Sequence, residues 1–347
     1  MTLHIMTLRV AAIGAGYFSR FQYRAWQRMP DIDLVATCNR TLEKARALAA
    51  EYAIPAAFDD VAEMLDAVRP DVLDIITPPP THLAAIGAAA SRGVGVICQK
   101  PFCTSLAEAT EAVAIAEAAG IMLVVHENFR FQPWYAQIRR LLDSGALGTP
   151  YQVTFRLRPG DGQGPHAYLD RQPAFPAMPR FLVRETAIHQ IDVFRYLFGE
   201  PQALYASLRR LNPAIAGEDA GHLLLDFPGG MRALFDGNRL ADHRARNRRL
   251  TMGELTIEGS AATLDLDGDA RLWLRPHGSN EATPVPYAFD DIDFGGDCVF
   301  RFQRHVVDHL RHGTPLQNTG RDYLANLRIE EATYESDRTG TRILLTQ

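Results

Sequence analysis

Of the 36 basic residues only Lys44 and Lys100 are lysine, and the two stand in different chemical settings. Lys44 lies among Glu43 and Arg46 in a run of helical periodicity, the setting of a solvated face. Lys100 stands in QKPF directly after the strand-like run Gly95–Cys98, and open α/β sheets bind their ligands at the carboxyl ends of their strands. Pro101 biases residue 100 away from helical angles and so fixes how the side chain leaves the strand. A compact ammonium there can hydrogen-bond a substrate oxygen; the planar fork of Arg differs from it in shape, hydration and geometry. The second concentration of polar chemistry is ETAIHQIDVFRYLFG. At about 100° per residue, Glu185, His189 and Asp192 fall within roughly 60° of arc on an α-helix. Ile188, Ile191, Phe194 and Phe198 form a separate apolar arc. A carboxylate one turn from a histidine can orient the ring and tune it as a base near neutral pH.

A third feature points to a nucleotide. GAGYFS places Gly14, Gly16 and Ser19 where a dinucleotide fingerprint has G-x-G-x-x-G/A. Gly14 permits a tight turn, Gly16 lets backbone approach a pyrophosphate, and the next helix offers free N–H groups to the anion. A strand precedes the run and a helix follows it, the context in which the motif carries weight. Where an acidic residue would accept hydrogen bonds from the adenosine ribose, this chain has Asn39 and Arg40. An amide does not repel a 2′-phosphate and Arg40 can pair with one, so the residues lean toward NADP and leave NAD open.

These residues need elements to hold them. From Leu8 to Val125 short apolar runs alternate with helical stretches, which predicts a parallel sheet covered on both faces, an α/β dinucleotide-binding domain over residues 1–126. After His126 come a helix at Trp134–Ser144 and a series of strands joined by short turns such as Pro228–Gly230. That order predicts an α+β domain over 127–347 with a large open antiparallel sheet, closed by helices at Val299–His312 and Tyr323–Ser336. The length of 347 residues and 47% hydrophobic content suit two globular domains.

The net charge of −5 excludes a general attraction to nucleic acid or anionic membranes, so the expected partner is a small molecule. Arg239, Arg244, Arg246, Arg248 and Arg249 cluster in RLADHRARNRRL without interleaved aromatics, which reads as a solvated loop, subunit contact or anion-facing flap. The four cysteines form no C-x-x-C pair and no metal spacing with His, so no metal is expected. Four unpaired thiols, an amino terminus without a leader pattern and the lack of a long apolar span give a cytoplasmic expectation. An open sheet face usually acquires a cover, so a homo-oligomer, dimer or tetramer, is expected.

Together these motifs resemble the Gfo/Idh/MocA oxidoreductases over nearly the whole chain. TPPPTH (Thr77–His82) is similar to the family's TPxxxH turn with Pro79 where Asn is usual, and QKP stands for EKP with Gln99 in place of Glu. ENFRFQPWY resembles the link into the second domain, EATYESDRTG the closing helix, and the His189 segment the D-x-x-x-H-x-x-D helix of inositol dehydrogenases with Glu185 for the first Asp. The resemblance implies a Rossmann domain, an NAD(P) cofactor, and catalysis by Lys100 and His189 supported by Glu185 and Asp192. It implies cofactor contacts at Gly14, Gly16, Tyr17, Phe18, Asn39, Arg40, Thr77, Pro78, His82, Gln99 and Lys100. For the substrate it implies Lys100, Asn128, Arg158, Asp161, Gln163, His189 and Asp192, with RLRPGDGQG as a sugar-facing loop. The implied activity is hydride transfer from a hydroxyl of a sugar or cyclic polyol. RLRPGDGQG and ENFRF look most similar to the D-apiose-oxidising branch, which implies oxidation of that pentose or a similar aldose to its lactone. Two alternatives remain: a glycoside hydrolase that uses NAD in a redox-neutral cycle, and a non-catalytic cofactor sensor.

Overall fold

The computed structural model describes residues 7–345. The first six residues, part of the amino-terminal stretch expected to lack a leader, lie outside the described residues. Among the described residues two compact units emerge, one formed by residues 7–127 and 299–327, the other by 128–298 and 328–345.

The first unit is built on six strands, β1 (Leu8–Ile13), β2 (Ile32–Cys38), β3 (Ala57–Phe58), β4 (Val72–Ile75), β5 (Gly95–Gln99) and β6 (Leu123–His126). They run parallel in the order β3-β2-β1-β4-β5-β6. Helices α1 (Ser19–Gln27), α2 (Leu42–Glu51), α3 (Val61–Val68), α4 (His82–Ala90) and α5 (Leu106–Ala118) make the connections. The residues of β4 and β6 are buried throughout, as a strand covered on both faces must be. The order reverses between β1 and β4, and that is where the sheet of such a fold opens a crevice for its ligand. β3 escaped the sequence because two residues show no period.

Residues 299–327 depart from the expected single break at 126. They return to the first unit, where Thr319 bridges Val124 and the Asn318 carbonyl accepts from the Val125 N–H at 2.9 Å. The physical reason is the open edge of β6, whose unpaired backbone groups need a cover. Arg304 also reaches Asp31 at 2.9 Å, and the Tyr323 hydroxyl donates to the buried Glu127 carboxylate at 3.2 Å.

The second unit carries α6 (Pro133–Asp143), β7 (Pro150–Leu157), α7 (Ile188–Phe198), β8 (Ala203–Arg209), β9 (Ala220–Asp226), β10 (Arg232–Asn238), β11 (Gly253–Gly259), β12 (Ala262–Leu266), β13 (Leu272–Pro276) and β14 (Thr283–Val285). After α8 (Phe294–His312) and α9 (Gly320–Thr339), the strand β15 (Ile343–Leu344) pairs with β8. The sheet order is β14-β13-β12-β11-β7-β10-β9-β8-β15. The sheet is mixed rather than antiparallel throughout, because β7 and β10 run parallel. These two strands lie far apart in sequence, and each takes an antiparallel neighbour on its other side, β11 and β9. One face of the sheet packs on α6 and α7 through Trp134, Ile138, Phe155, Ile191, Phe194 and Phe235.

The first unit also buries a polar chain. Asp74 accepts from Trp26 Nε1 at 2.8 Å and Gln303 Nε2 at 3.4 Å, Gln303 Nε2 also reaches the Gln22 carbonyl, and Gln22 Nε2 lies 3.3 Å from His126 Nδ1. Burial pushes the Asp74 carboxyl up to about 7 and the His126 imidazole down to about 3. The two act oppositely on stability. Asp74, raised when folded, contributes stability that is present below pH 4 and lost as pH rises to about 7. His126, depressed when folded, contributes stability that is present above pH 6.5 and lost as pH falls toward 3. Between about pH 4 and 6.5 the two slopes cancel, each worth about 4 kcal/mol at most. Asp74→Asn should therefore leave the His126 slope uncovered. The melting temperature of the variant is expected to climb by roughly 10 °C relative to the parent across that window; parallel curves in differential scanning fluorimetry would contradict the account.

Candidate active site

In the first unit the chemical residues gather at the carboxyl ends of β1, β2, β4 and β5. Gly14 leaves β1 at φ +117°, and a Cβ there would stand 2.9 Å from the Ile76 carbonyl carbon at the end of β4, so only glycine lets the two strand ends approach. At Gly16 the same construction meets nothing within 4 Å, leaving open space before the first turn of α1. Ser19 fills the third small position of the fingerprint: it is buried and its hydroxyl donates to the Gly16 carbonyl at 2.7 Å. Tyr23 secures the turn from below, donating to the Gly14 carbonyl at 3.1 Å and meeting the Thr37 hydroxyl at 2.6 Å. Tyr17 and Phe18 are half-buried at the same turn, where Arg20 lies over the Tyr17 ring at 4.1 Å. Arg40 is exposed after β2, and Asn39 Nδ2 donates to the Thr41 carbonyl at 3.2 Å.

At the end of β4, Pro78 is exposed and Thr77 meets Thr81 at 2.6 Å. His82, implied to touch the cofactor, is fully buried and has backbone at both nitrogens: Nε2 lies 2.7 Å from the Thr77 carbonyl, and Nδ1 accepts from the Cys103 N–H at 3.3 Å. Burial lowers its pKa, which suits a neutral ring with its proton on Nε2. His82 acts there as a bolt between two loops instead of a direct contact. Gln99 turns Oε1 to the Lys100 N–H at 2.7 Å, and its Nε2 is buried with no partner among the described residues. A buried unpaired donor calls for an acceptor. The cradle at Gly14 and Gly16 and this amide therefore fit a dinucleotide, held by backbone N–H groups at the start of α1. Lys100 is half-buried at the tip of β5.

In the second unit the His189 ring, 6% exposed, stacks on Phe129 with centroids 3.9 Å apart and planes 4° from parallel. Asp192 is fully buried in a bidentate pair with Arg130, at 2.7 and 2.6 Å. Breaking such a pair from one side costs about 3–5 kcal/mol. Glu185 corrects the helical arithmetic: Leu182–Ala187 is a π-helical turn and α7 begins at Ile188. Its phase to His189 is therefore not that of an α-helix, because π winding holds one more residue per hydrogen-bonded ring. Asn128 is buried with Nδ2 unpartnered among the described residues.

The loop after β7 is engaged with protein groups. Arg158 pairs with Asp236 at 2.5 Å, Gln163 donates to the Leu240 carbonyl at 2.5 Å, and Asp161 takes both Arg171 at 2.9 Å and Arg239 at 2.7 Å. Arg239, read with its neighbours as part of a solvated loop, subunit contact or anion-facing flap, is instead 2% exposed, stands over Tyr168 and Phe181 and donates to Thr186 at 2.6 Å. The sequence offered no signal for this, since five arginines in one loop read alike. Phe129 and Arg130 were visible only as part of ENFRF. Among the described residues no cluster of His, Cys, Asp and Glu could hold a metal.

A turn shaped for a dinucleotide on a doubly wound sheet, beside a lysine, defines a nucleotide-dependent enzyme class. Residues 8–127 match the model of the Gfo/Idh/MocA oxidoreductase family, NAD-binding Rossmann fold, and residues 135–265 match the Gfo/Idh/MocA C-terminal domain. The chain is 36% identical to a D-apiose dehydrogenase of Paraburkholderia graminis, over 99% of this chain and 91% of the relative. It is 30% identical to a D-apiose dehydrogenase of Rhizobium rhizogenes, over 98% of each. Among solved structures, an oxidoreductase from Agrobacterium radiobacter in complex with NAD+, L-tartaric acid and magnesium superposes with a TM-score of 0.87 at 30% identity, covering 97% of this chain and 98% of that one. The chain belongs to the Gfo/Idh/MocA family of NAD-binding oxidoreductases.

The geometry at Gly14 makes a direct prediction. Gly14→Ala should weaken NADH binding at least tenfold in a fluorescence titration and lower the melting temperature, because strain of about 1–3 kcal/mol falls on the turn itself. Unchanged affinity and stability would remove the cradle.

Proposed function

We propose that the protein is an NAD(P)-dependent dehydrogenase that oxidises a hydroxyl of a sugar or cyclic polyol, with D-apiose or a similar aldose, oxidised to its lactone, as the leading substrate. The observation that carries this reading is the similarity to two D-apiose dehydrogenases along almost the full chain, in a sequence that has both Lys100 and His189. When bound, the nicotinamide supplies the hydride acceptor, and the protein supplies position and polarity. His189 takes the proton of the reacting hydroxyl, its ring held flat by Phe129. Lys100 donates to the same oxygen as negative charge develops there, the kind of stabilisation that counts most in a water-poor site. Glu185 and Asp192 support these two, and Asp192 does so as the partner of Arg130. Asn128 offers its unpaired Nδ2 to a sugar oxygen. Gln99 offers its Nε2 to the cofactor, which Gly14, Gly16, Tyr17, Phe18, Asn39, Arg40, Thr77 and Pro78 surround. Arg158, Asp161 and Gln163 shape the sugar-facing loop through their protein contacts.

A homo-oligomer and a cytoplasmic location belong to the same reading. Across the second sheet, Tyr205, Leu224, Leu234, Thr154, Thr256, Asp265 and Trp273 stand in register on one face. All are partly or fully exposed, a broad surface that a second copy would cover. No helix among the described residues is long and apolar enough to cross a membrane.

The test is a panel of pentoses, hexoses and inositols, each assayed with NAD and with NADP. D-apiose is expected to give one reduced cofactor per sugar oxidised; sugar consumption without reduced cofactor would favour a redox-neutral cycle, and no turnover at all would favour a sensor. With the same substrates Lys100→Met should lower turnover by about 100-fold or more, a larger loss than that of NADH affinity in a fluorescence titration. Near-normal turnover in the folded variant would overturn the role of Lys100.

A further inference from the structure

The turn that carries Glu185 and leads into His189 is gripped from both ends by groups outside the helix. At its start, Glu218 is 9% exposed, and its Oε1 accepts from the N–H groups of Phe181 and Val183, each at 3.1 Å, and from the Tyr334 hydroxyl at 2.7 Å. The Glu218 carbonyl accepts from the Leu182 N–H at 2.9 Å. Three successive N–H groups thus end on one residue. They are the donors that any helix start leaves without a partner inside the helix, and a carboxylate beside them is favoured by the helix dipole. At the far end, Arg239 Nη1 donates to the Thr186 hydroxyl at 2.6 Å, and Arg239 is itself fixed by Asp161 and the rings of Tyr168 and Phe181.

A plain helix start needs less than this. A serine or aspartate cap satisfies such donors from the surface, whereas burying a carboxylate and a guanidinium is costly unless each is fully paired. The chain holds both at one turn of unusual winding, and π turns concentrate at functional sites. If the turn relaxed to α-helix, one residue would pass through it, and Glu185 would rotate by about 100° relative to His189.

We propose that Glu218 is a positioning residue for the oxidation: with Arg239 at the far end, it holds residues 182–187 in the π form and so fixes the relative phase of Glu185 and His189. This rests on the assignment of His189 as the base. Glu218 touches neither substrate nor cofactor in this scheme; it acts through the turn. Because these three hydrogen bonds to its side chain all end on one oxygen, the amide oxygen of glutamine can accept them too.

The experiment compares Glu218→Ala, Glu218→Gln, Thr186→Val and His189→Ala, using NAD and the sugar of the panel with the highest turnover. Glu218→Ala is expected to lose about 100-fold in kcat, the scale on which a small misplacement of a reacting group is felt, with the KM for NAD unchanged. Glu218→Gln should restore kcat to within a few fold. Thr186→Val, which frees the far end, should lose about tenfold with the same unchanged KM for NAD. Folded Glu218→Ala and Thr186→Val proteins with parental kcat, alongside an inactive His189→Ala, would overturn the proposal and leave the base assignment standing. If Glu218→Ala does not fold, Thr186→Val decides. An active His189→Ala would instead remove the base assignment, and a kcat loss in Glu218→Ala that Glu218→Gln fails to repair would assign the effect to lost charge instead of position.

Discussion

The backbone between Leu182 and Ala187 is wound looser than an α-helix, and buried polar groups keep it so. Four of the candidate side chains in the second unit, Glu185, His189, Asp192 and Asp161, hang on this constraint. His189 follows the turn by two residues, and Asp192 lies three residues beyond it, tied to Arg130. Asp161 reaches the turn indirectly, through Arg239 to Thr186. The loop expected to face sugar and the helix expected to do proton transfer are thereby parts of one hydrogen-bonded assembly. Charge buried at such density is a poor source of stability, since desolvation consumes most of the attraction. Its return is geometric, in that a satisfied network admits few alternative arrangements.

The first unit solves the complementary problem with backbone instead of charge. A pyrophosphate needs exposed N–H groups and room for close approach. Gly14 and Gly16 divide that work: one accepts a crowded position against Ile76, the other leaves empty space. The surrounding side chains then serve the backbone. Ser19 and Tyr23 bond the carbonyls of Gly16 and Gly14, and His82 holds the Thr77 carbonyl. Gln99 is different, because it keeps a buried donor in reserve.

Much of this was legible in the sequence, for physical reasons that can be named. The alternation of apolar runs with helical stretches defined the first sheet, because a strand covered on both faces has no polar side to confuse the pattern. Gly14 was legible because a strand-turn-helix crossing leaves few other solutions. Glu185 was misplaced because the arithmetic of 100° per residue presumes α winding, and nothing in ETAIHQ announces a π turn. Arg239 was misplaced because its pairing with Asp161 joins residues 78 positions apart. The return of residues 299–327 to the first sheet and the parallel pairing of β7 with β10 are likewise non-local, while β3 and β15 are two residues each, too short to show a period.

In the proposed reaction a hydrogen leaves a sugar carbon as hydride while the hydroxyl proton goes to the protein. Oxidation of D-apiose carrying deuterium at C1, with NAD as acceptor and mass spectrometry of the reduced cofactor, tests it most directly. One deuterium per NADH formed, accompanied by the lactone, is expected. Turnover that yields NADH without deuterium, or product without NADH, would contradict it.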